Sequence, residues 1–191
     1  MMNKPRILAL SGSLRAGSYN QKVATIAAAV ARSAGADVTL ISLRDFRLPL
    51  FDEDLESEEG MPASASELKK LFLAHNGLII ASPEYNSTLT AALKNAIDWV
   101  SRATSQDEAP LLALKGKSAA ILSASPGAYG GSRGLAQLRP FLVNIGIYVM
   151  PEQVTIPNAY EAFDADGNLV AAAQTKAIES LVGGLITKLK M

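Results

Sequence analysis

Ile7-Leu8-Ala9-Leu10 leads without a break into Ser11-Gly12-Ser13-Leu14-Arg15-Ala16-Gly17-Ser18-Tyr19-Asn20, and apolar residues then recur at Val23, Ile26, Ala27 and Val30. The first run is short and apolar, as a buried strand is; the last has the 3.6-residue period of a helix. A loop of small residues and hydroxyls turns the chain between them. Such a strand–loop–helix passage places unpaired helix N–H groups, at the positive end of the helix dipole, beside the loop. The loop is therefore a candidate anion site. It offers hydroxyls at Ser11, Ser13 and Ser18, an amide at Asn20 and one fixed positive charge at Arg15. The plainer reading of the same residues is a serine-rich turn with Ser18 as the helix N-cap.

Working outward, apolar runs and helical patterns keep alternating. Strands are predicted at Arg6–Ser11, Asp37–Ser42, Gly77–Ser82 and Ser118–Ala124, with a last one around Ile147–Val154. Helices are predicted near Asn20–Ser33, Ala65–Ala74, Leu89–Arg102, Ser132–Asn144 and Ala171–Leu189. Alternation of this kind implies a parallel sheet covered on both faces. The expected fold class is α/β: a flavodoxin-like three-layer sandwich with a five-stranded parallel sheet, order 2-1-3-4-5, as one domain over residues 1–191. Ligands of such sheets sit beyond the carboxyl ends of the strands, at the switch point between the first and third. Two segments read as irregular: Arg44–Ala63, with an acidic middle from Asp52 to Glu59 expected to be a solvated loop, and Pro157–Gly167.

Composition narrows the function. The 191 residues suffice for one domain with a real core. Lysine plus arginine equals aspartate plus glutamate at 18 each, so no basic excess points to nucleic acid. The absence of cysteine excludes disulfides, thiolate metal sites and thiol catalysis. No apolar run is long enough to cross a bilayer. The chain opens almost directly on a strand, with no signal-peptide pattern, and a cytoplasmic location is expected.

Two further loops fall at the same edge of the expected sheet. Pro83-Glu84-Tyr85-Asn86-Ser87 follows the buried run Leu78–Ser82, and Tyr85 offers a flat face. Ser125-Pro126-Gly127-Ala128-Tyr129-Gly130-Gly131 follows the fourth strand. The first loop lacks the G-x-G-x-x-G dinucleotide fingerprint and the Lys-Ser/Thr of a nucleoside triphosphate loop. Hydroxyls stand where glycines would, which suits a terminal phosphate monoester with several free oxygens.

Ser13-Leu14-Arg15 with Ser18 and Asn20, then Pro83-Glu84-Tyr85-Asn86, then Leu93-Lys94-Asn95-Ala96-Ile97-Asp98-Trp99, resemble the NADPH-dependent FMN reductase family, most of all its chromate and quinone reductase branch. The resemblance implies bound FMN, NAD(P)H as co-substrate and ping-pong two-electron reduction of quinones or similar small acceptors by a homodimer or homotetramer. By position, it implies that Ser13, Arg15, Ser18 and Asn20 hold the FMN phosphate. Pro83, Glu84, Tyr85 and Asn86 then line the ribityl chain and ring, largely through backbone groups. Ser125 and Gly127 close the other side. The flavin does the chemistry, so no catalytic acid or base and no metal is expected. Thr90-Ala91 stands where the family often has Pro-Gly, which alters the entry into the following helix. The competing classes are a flavodoxin-like electron carrier with no nicotinamide site, and a non-flavin phosphate-binding module. The chain's neutrality counts against a carrier that docks by acidic charge.

Three apparent motifs carry no function here. Gly130-Gly131-Ser132-Arg133-Gly134 matches G-x-S-x-G, but the strand ends several residues too early for a nucleophile elbow. His75, the only histidine, is expected to cap a helix end or lie at the surface. Asp164–Asn168 lacks the glutamate of a calcium loop and reads as a turn.

Overall fold

Residues 4–191 are described by a computed structural model. Strands β1 (Arg6–Ser11), β2 (Asp37–Ser42), β3 (Gly77–Ala81) and β4 (Ser118–Ala124) fall where the apolar runs place them, followed by β5 (Tyr148–Val149) and β6 (Val154–Ile156). All pairings are parallel, in the order β2-β1-β3-β4-β5, with β6 also paired to β4. The helices are α1 (Tyr19–Ser33), α2 (Glu53–Glu59), α3 (Ala63–Ala74), α4 (Ala91–Ser101), α5 (Ser132–Asn144) and α6 (Ala172–Leu189).

The two-residue period of the strands sorts the core into two layers. Ile7, Ala9, Ile79, Ala81, Ala120 and Leu122 pack with α1 and α6. Their neighbours Leu8, Leu10, Leu78, Ile80, Ala119 and Ile121 pack with α3, α4 and α5. Every residue of β3 and β4 is buried, as a sheet covered on both faces requires. Truncating Ile79 or Ile80 to alanine is expected to cost about 2–5 kcal/mol.

Two expectations need correction. The last strand is broken into β5 and β6, because Pro151 has no N–H to give the ladder. The Arg139 guanidinium takes up the freed carbonyls, donating to Met150 O at 2.7 Å and Pro151 O at 3.1 Å. The acidic run after Asp52 is not loop but helix α2. Asp52 caps it by accepting from Asp54 N at 2.9 Å, and Glu53, Asp54 and Glu56 sit in its first turn, where the helix dipole favours negative charge. The helix is fastened by Glu56, whose carboxylate accepts from Arg102 Nε at 2.8 Å. His75 caps α3 as expected but is buried. Its ring bonds Leu71 O at 2.6 Å and Thr39 Oγ1 at 2.9 Å.

The ammonium of Lys69, 2 % exposed, donates to Arg102 O at 2.5 Å and pairs with Glu108. The hydrogen bond from Lys69 holds the Glu108 carboxyl down at about 2, with bonds from Thr104 adding to it. A carboxyl lowered on folding stabilises the fold above its unfolded value near 4.5, and that contribution is lost as pH falls through about 2. Glu108→Gln is therefore expected to destabilise the protein by about 3 kcal/mol at neutral pH. Urea titrations should show the gap between variant and wild type closing from pH 4.5 to pH 2; a gap that is constant with pH would exclude the pair as its source.

Candidate functional site

The carboxyl ends of β1, β3 and β4 open into three loops, and these enclose a cleft of about 180 Å³. Of the residues singled out by sequence, Ser13, Arg15, Ser18, Asn20, Pro83, Glu84, Tyr85 and Ser125 line it. Asn86 and Gly127 lie on the adjoining turns, outside the lining. Tyr19, Ala124, Pro126 and Tyr160 also line the cleft, and the sequence reading did not single them out.

The first loop is built to leave donors free. Ser11 Oγ accepts from Ser13 N at 3.2 Å, Ser13 Oγ from Arg15 N at 3.2 Å, and Ser18 Oγ from Gln21 N at 3.3 Å. Ser18 is thus the N-cap of α1, as the plainer reading had it. Each hydroxyl accepts inward and keeps its own proton to donate. The backbone N–H groups of Ala16, Gly17, Ser18, Tyr19 and Asn20 have no acceptor among the described residues. This run of unpaired donors sits at the positive end of α1, beside the Arg15 guanidinium, and fits a phosphate monoester.

Asn20 is placed differently from the expectation that its amide faces a ligand. Its Nδ2 donates to Ala124 O at 2.7 Å, and its Oδ1 accepts from Ala124 N at 2.9 Å. The side chain is thereby spent on tying α1 to the end of β4. Thr90 does a similar job across the cleft's base. Its hydroxyl donates to Gly12 O at 2.5 Å and accepts from Leu93 N at 3.2 Å, capping α4. The chain's departure at Thr90-Ala91 therefore locks the first loop to the helix after the second.

In the second loop, Tyr85 and Thr88 exchange backbone hydrogen bonds at 3.0 and 3.1 Å around Asn86 and Ser87. Both central residues have positive φ, 51° and 65°, as a two-residue hairpin turn demands. The turn presents Tyr85 54 % exposed. Glu84 lines the cleft with its carboxylate tied to α5. Its carboxylate accepts from Arg133 Nε at 2.9 Å and from Gly134 N at 3.0 Å.

This explains the G-x-S-x-G match. Gly131, the N-cap of α5, has φ 87°, and a Cβ there would lie 2.0 Å from Ser123 Oγ. A Cβ on Gly134 would lie 3.1 Å from Glu84 Cβ. The motif is a seat for Glu84, which caps α5 from another loop. Ser132 is the first residue of that helix, and β4 has ended at Ala124. A pair of glycines followed by a helix with no capping side chain was the signal available in the sequence.

The rim is aromatic. Tyr19 stacks on Phe163 at 5.8 Å and takes the edge of Tyr160, also at 5.8 Å. The Arg15 guanidinium lies 5.1 Å from the Tyr19 ring centre. No helix among the described residues is long and apolar enough to cross a membrane, and no group of three or more His, Cys, Asp or Glu side chains among them is arranged to hold a metal.

Comparison with known proteins agrees with this geometry. The family model described as NADPH-dependent FMN reductase matches residues 5–161. The chain is 36 % identical over 171 residues to an NAD(P)H-dependent FMN reductase of Pseudomonas aeruginosa, covering 89 % of this chain and 87 % of that one. It is 38 % identical over 150 residues to the quinone reductase of Escherichia coli, covering 78 % and 76 %. Among solved structures, the flavoenzyme NAD(P)H:(acceptor) oxidoreductase FerB of Paracoccus denitrificans superposes with a TM-score of 0.78 at 27 % identity, covering 97 % of each chain.

Capping by Glu84 yields a stability prediction. Glu84→Ala removes a cap and the hold on the second loop together, and should cost about 1–2 kcal/mol. Arg133→Ala removes a pair with a 60 % exposed guanidinium, which also lies 5.4 Å from the Tyr129 ring centre, and should cost under about 1 kcal/mol. Thermal unfolding of the two variants checks the order; an Arg133→Ala loss as large as that of Glu84→Ala would assign the effect to the ion pair instead.

Proposed function

The chain belongs to the NADPH-dependent FMN reductase family, and from that premise we propose that it is an FMN-dependent NAD(P)H:acceptor oxidoreductase reducing quinones and similar small molecules in a ping-pong scheme. The observation that carries this reading is the run of unpaired backbone donors from Ala16 to Asn20 at the start of α1, beside the Arg15 guanidinium. The Ser13 and Ser18 hydroxyls, the backbone N–H groups of residues 16–20 and the Arg15 guanidinium hold the FMN phosphate. Asn20 acts one step back, through its clamp on Ala124.

Pro83 and Tyr85 flank the ribityl chain and the ring, with Asn86 offering backbone groups from its turn. Ser125 and Gly127 close the opposite side. Gly127 O accepts from Gly130 N at 3.1 Å, which keeps that loop folded back. FMN, when bound, supplies the redox chemistry, accepting hydride from NAD(P)H and passing two electrons to the acceptor. The chain's own part is to hold, orient and leave one face open. Glu84 is the only carboxylate among the described residues that line the cleft, and it is committed to Arg133 and Gly134. On this reading the chemistry needs no side chain as acid or base.

The same reading takes residues 1–191 as one FMN-binding domain, working in the cytoplasm as a homodimer or homotetramer. Light scattering on the purified protein tests the assembly.

Arg15→Ala removes the one fixed charge that lines the cleft without an ion-pair partner among the described residues. A hydrogen bond to a charged group contributes about 1.5–3 kcal/mol, so FMN affinity should fall by roughly ten- to a hundredfold in a flavin fluorescence titration. The enzyme reading itself rests on anaerobic NADPH bleaching the bound flavin and a quinone restoring its colour. A flavin that NADPH leaves oxidised would make the protein a carrier instead.

A further inference from the structure

A second cleft, of about 360 Å³, lies on the other side of the first loop. Leu14 lines it, while its neighbours Ser13 and Arg15 line the FMN cleft. The remaining walls are Leu43, Phe46, Leu48 and Ala92, with Asn95 and the two arginines Arg44 and Arg47. Its volume is within the range of about 300–1,000 Å³ usual for small-ligand sites.

The cleft has a fixed frame. Ser42 Oγ accepts from Arg44 N at 3.3 Å, Leu43 is buried, and Ser64 Oγ donates to Arg47 O at 3.0 Å. Asn95 is held in place, its Oδ1 accepting from Phe51 N at 2.8 Å and its Nδ2 donating to Pro49 O at 2.9 Å. The two guanidiniums are not committed. Neither forms an ion pair or a side-chain hydrogen bond among the described residues, and no carboxylate lines the cleft. Two free forks beside apolar walls suit a ligand that is flat and apolar at one end and doubly charged at the other.

We propose that this cleft takes the adenosine end of NADPH, with Arg44 and Arg47 on its 2′-phosphate, so that the enzyme prefers NADPH to NADH. The proposal rests on the reductase reading above. The nicotinamide end of the dinucleotide must reach the FMN cleft, so its other end must find a seat nearby. The second cleft is separated from the first by the width of one loop. The 2′-phosphate is the one group by which NADPH differs from NADH, and a phosphate monoester is matched by guanidinium forks better than by any other side chain. The base lies against Leu14, Phe46 and Leu48, beside the fixed Asn95 amide.

The test uses the flavin-loaded enzyme and the variants Arg44→Ala, Arg47→Ala, their double, and Arg44→Lys/Arg47→Lys. The ratio of kcat/KM for NADPH to that for NADH should exceed one in the wild type. It should fall by about ten- to a hundredfold in the double alanine variant and by less in the double lysine variant, which keeps charge but loses the fork. Calorimetric titration with adenosine 2′,5′-bisphosphate against 5′-ADP should show the same loss of preference. A wild type without preference for NADPH, or a ratio unchanged in the double alanine variant, overturns the proposal. So does a loss confined to an anionic acceptor, which would make the cleft an acceptor site. Failure of the wild type to bind FMN strikes the reductase reading, while the calorimetry still decides this site.

Discussion

A single buried carboxamide holds the functional edge together. Asn20 exchanges two hydrogen bonds with the backbone of Ala124, across 104 positions of sequence. The first residues of α1 are thereby fixed to the end of β4, so the loop before α1 and the loop after β4 keep one spacing. Deleting that side chain would leave the N–H and C=O of Ala124 buried without partners, at about 1–3 kcal/mol each. A ligand site on loops normally trades precision for reach. Here the clamp restores the precision without using any group that faces the cleft.

The same device recurs at each loop. Thr90 fixes Gly12, and Glu84 fixes the start of α5. In each case a polar side chain from one loop satisfies the backbone of another element, and the donors left over face inward. Donors fixed this way are preorganised, because the N–H groups hold their directions before any ligand arrives. The cost is local: Asn86 and Ser87 hold positive φ, and Gly131 tolerates no side chain.

The strands were legible because β1, β3 and β4 are buried on both faces and so read as unbroken apolar runs, and α6 because its Ile178, Leu181, Val182, Leu185 and Ile186 keep helical spacing. Helix α2 was not legible, since seven residues with five acids carry no apolar period, and its support is a cap, the dipole and a pairing of Glu56 with the distant Arg102. The break at Pro151 was visible in principle, as proline cannot serve an interior ladder. The site was legible as a set of loops but not as a division of labour. Nothing local distinguishes an asparagine that binds a ligand from one that clamps a strand end; Ala124 lies too far along the chain. Tyr19 and Tyr160 escaped notice because the segment that brings Tyr160 back to the rim follows a two-part strand whose path the sequence did not give away.

Net neutrality and an anion site are compatible because charge here is partitioned rather than absent. Acids are concentrated in α2, where the dipole and Arg102 absorb them. Arg15 is placed against a ring instead of a carboxylate, over Tyr19, and Lys22 lies 5.2 Å from the Phe163 ring centre. An aromatic face orients a cation without cancelling its charge or occupying its N–H groups in the ring plane. An ion pair at that position would neutralise the site and have to be broken for a phosphate to enter. The stacked Tyr19 and Phe163 therefore do two things at once: they anchor the segment after β6 to the first loop, and they orient Arg15 without pairing its charge.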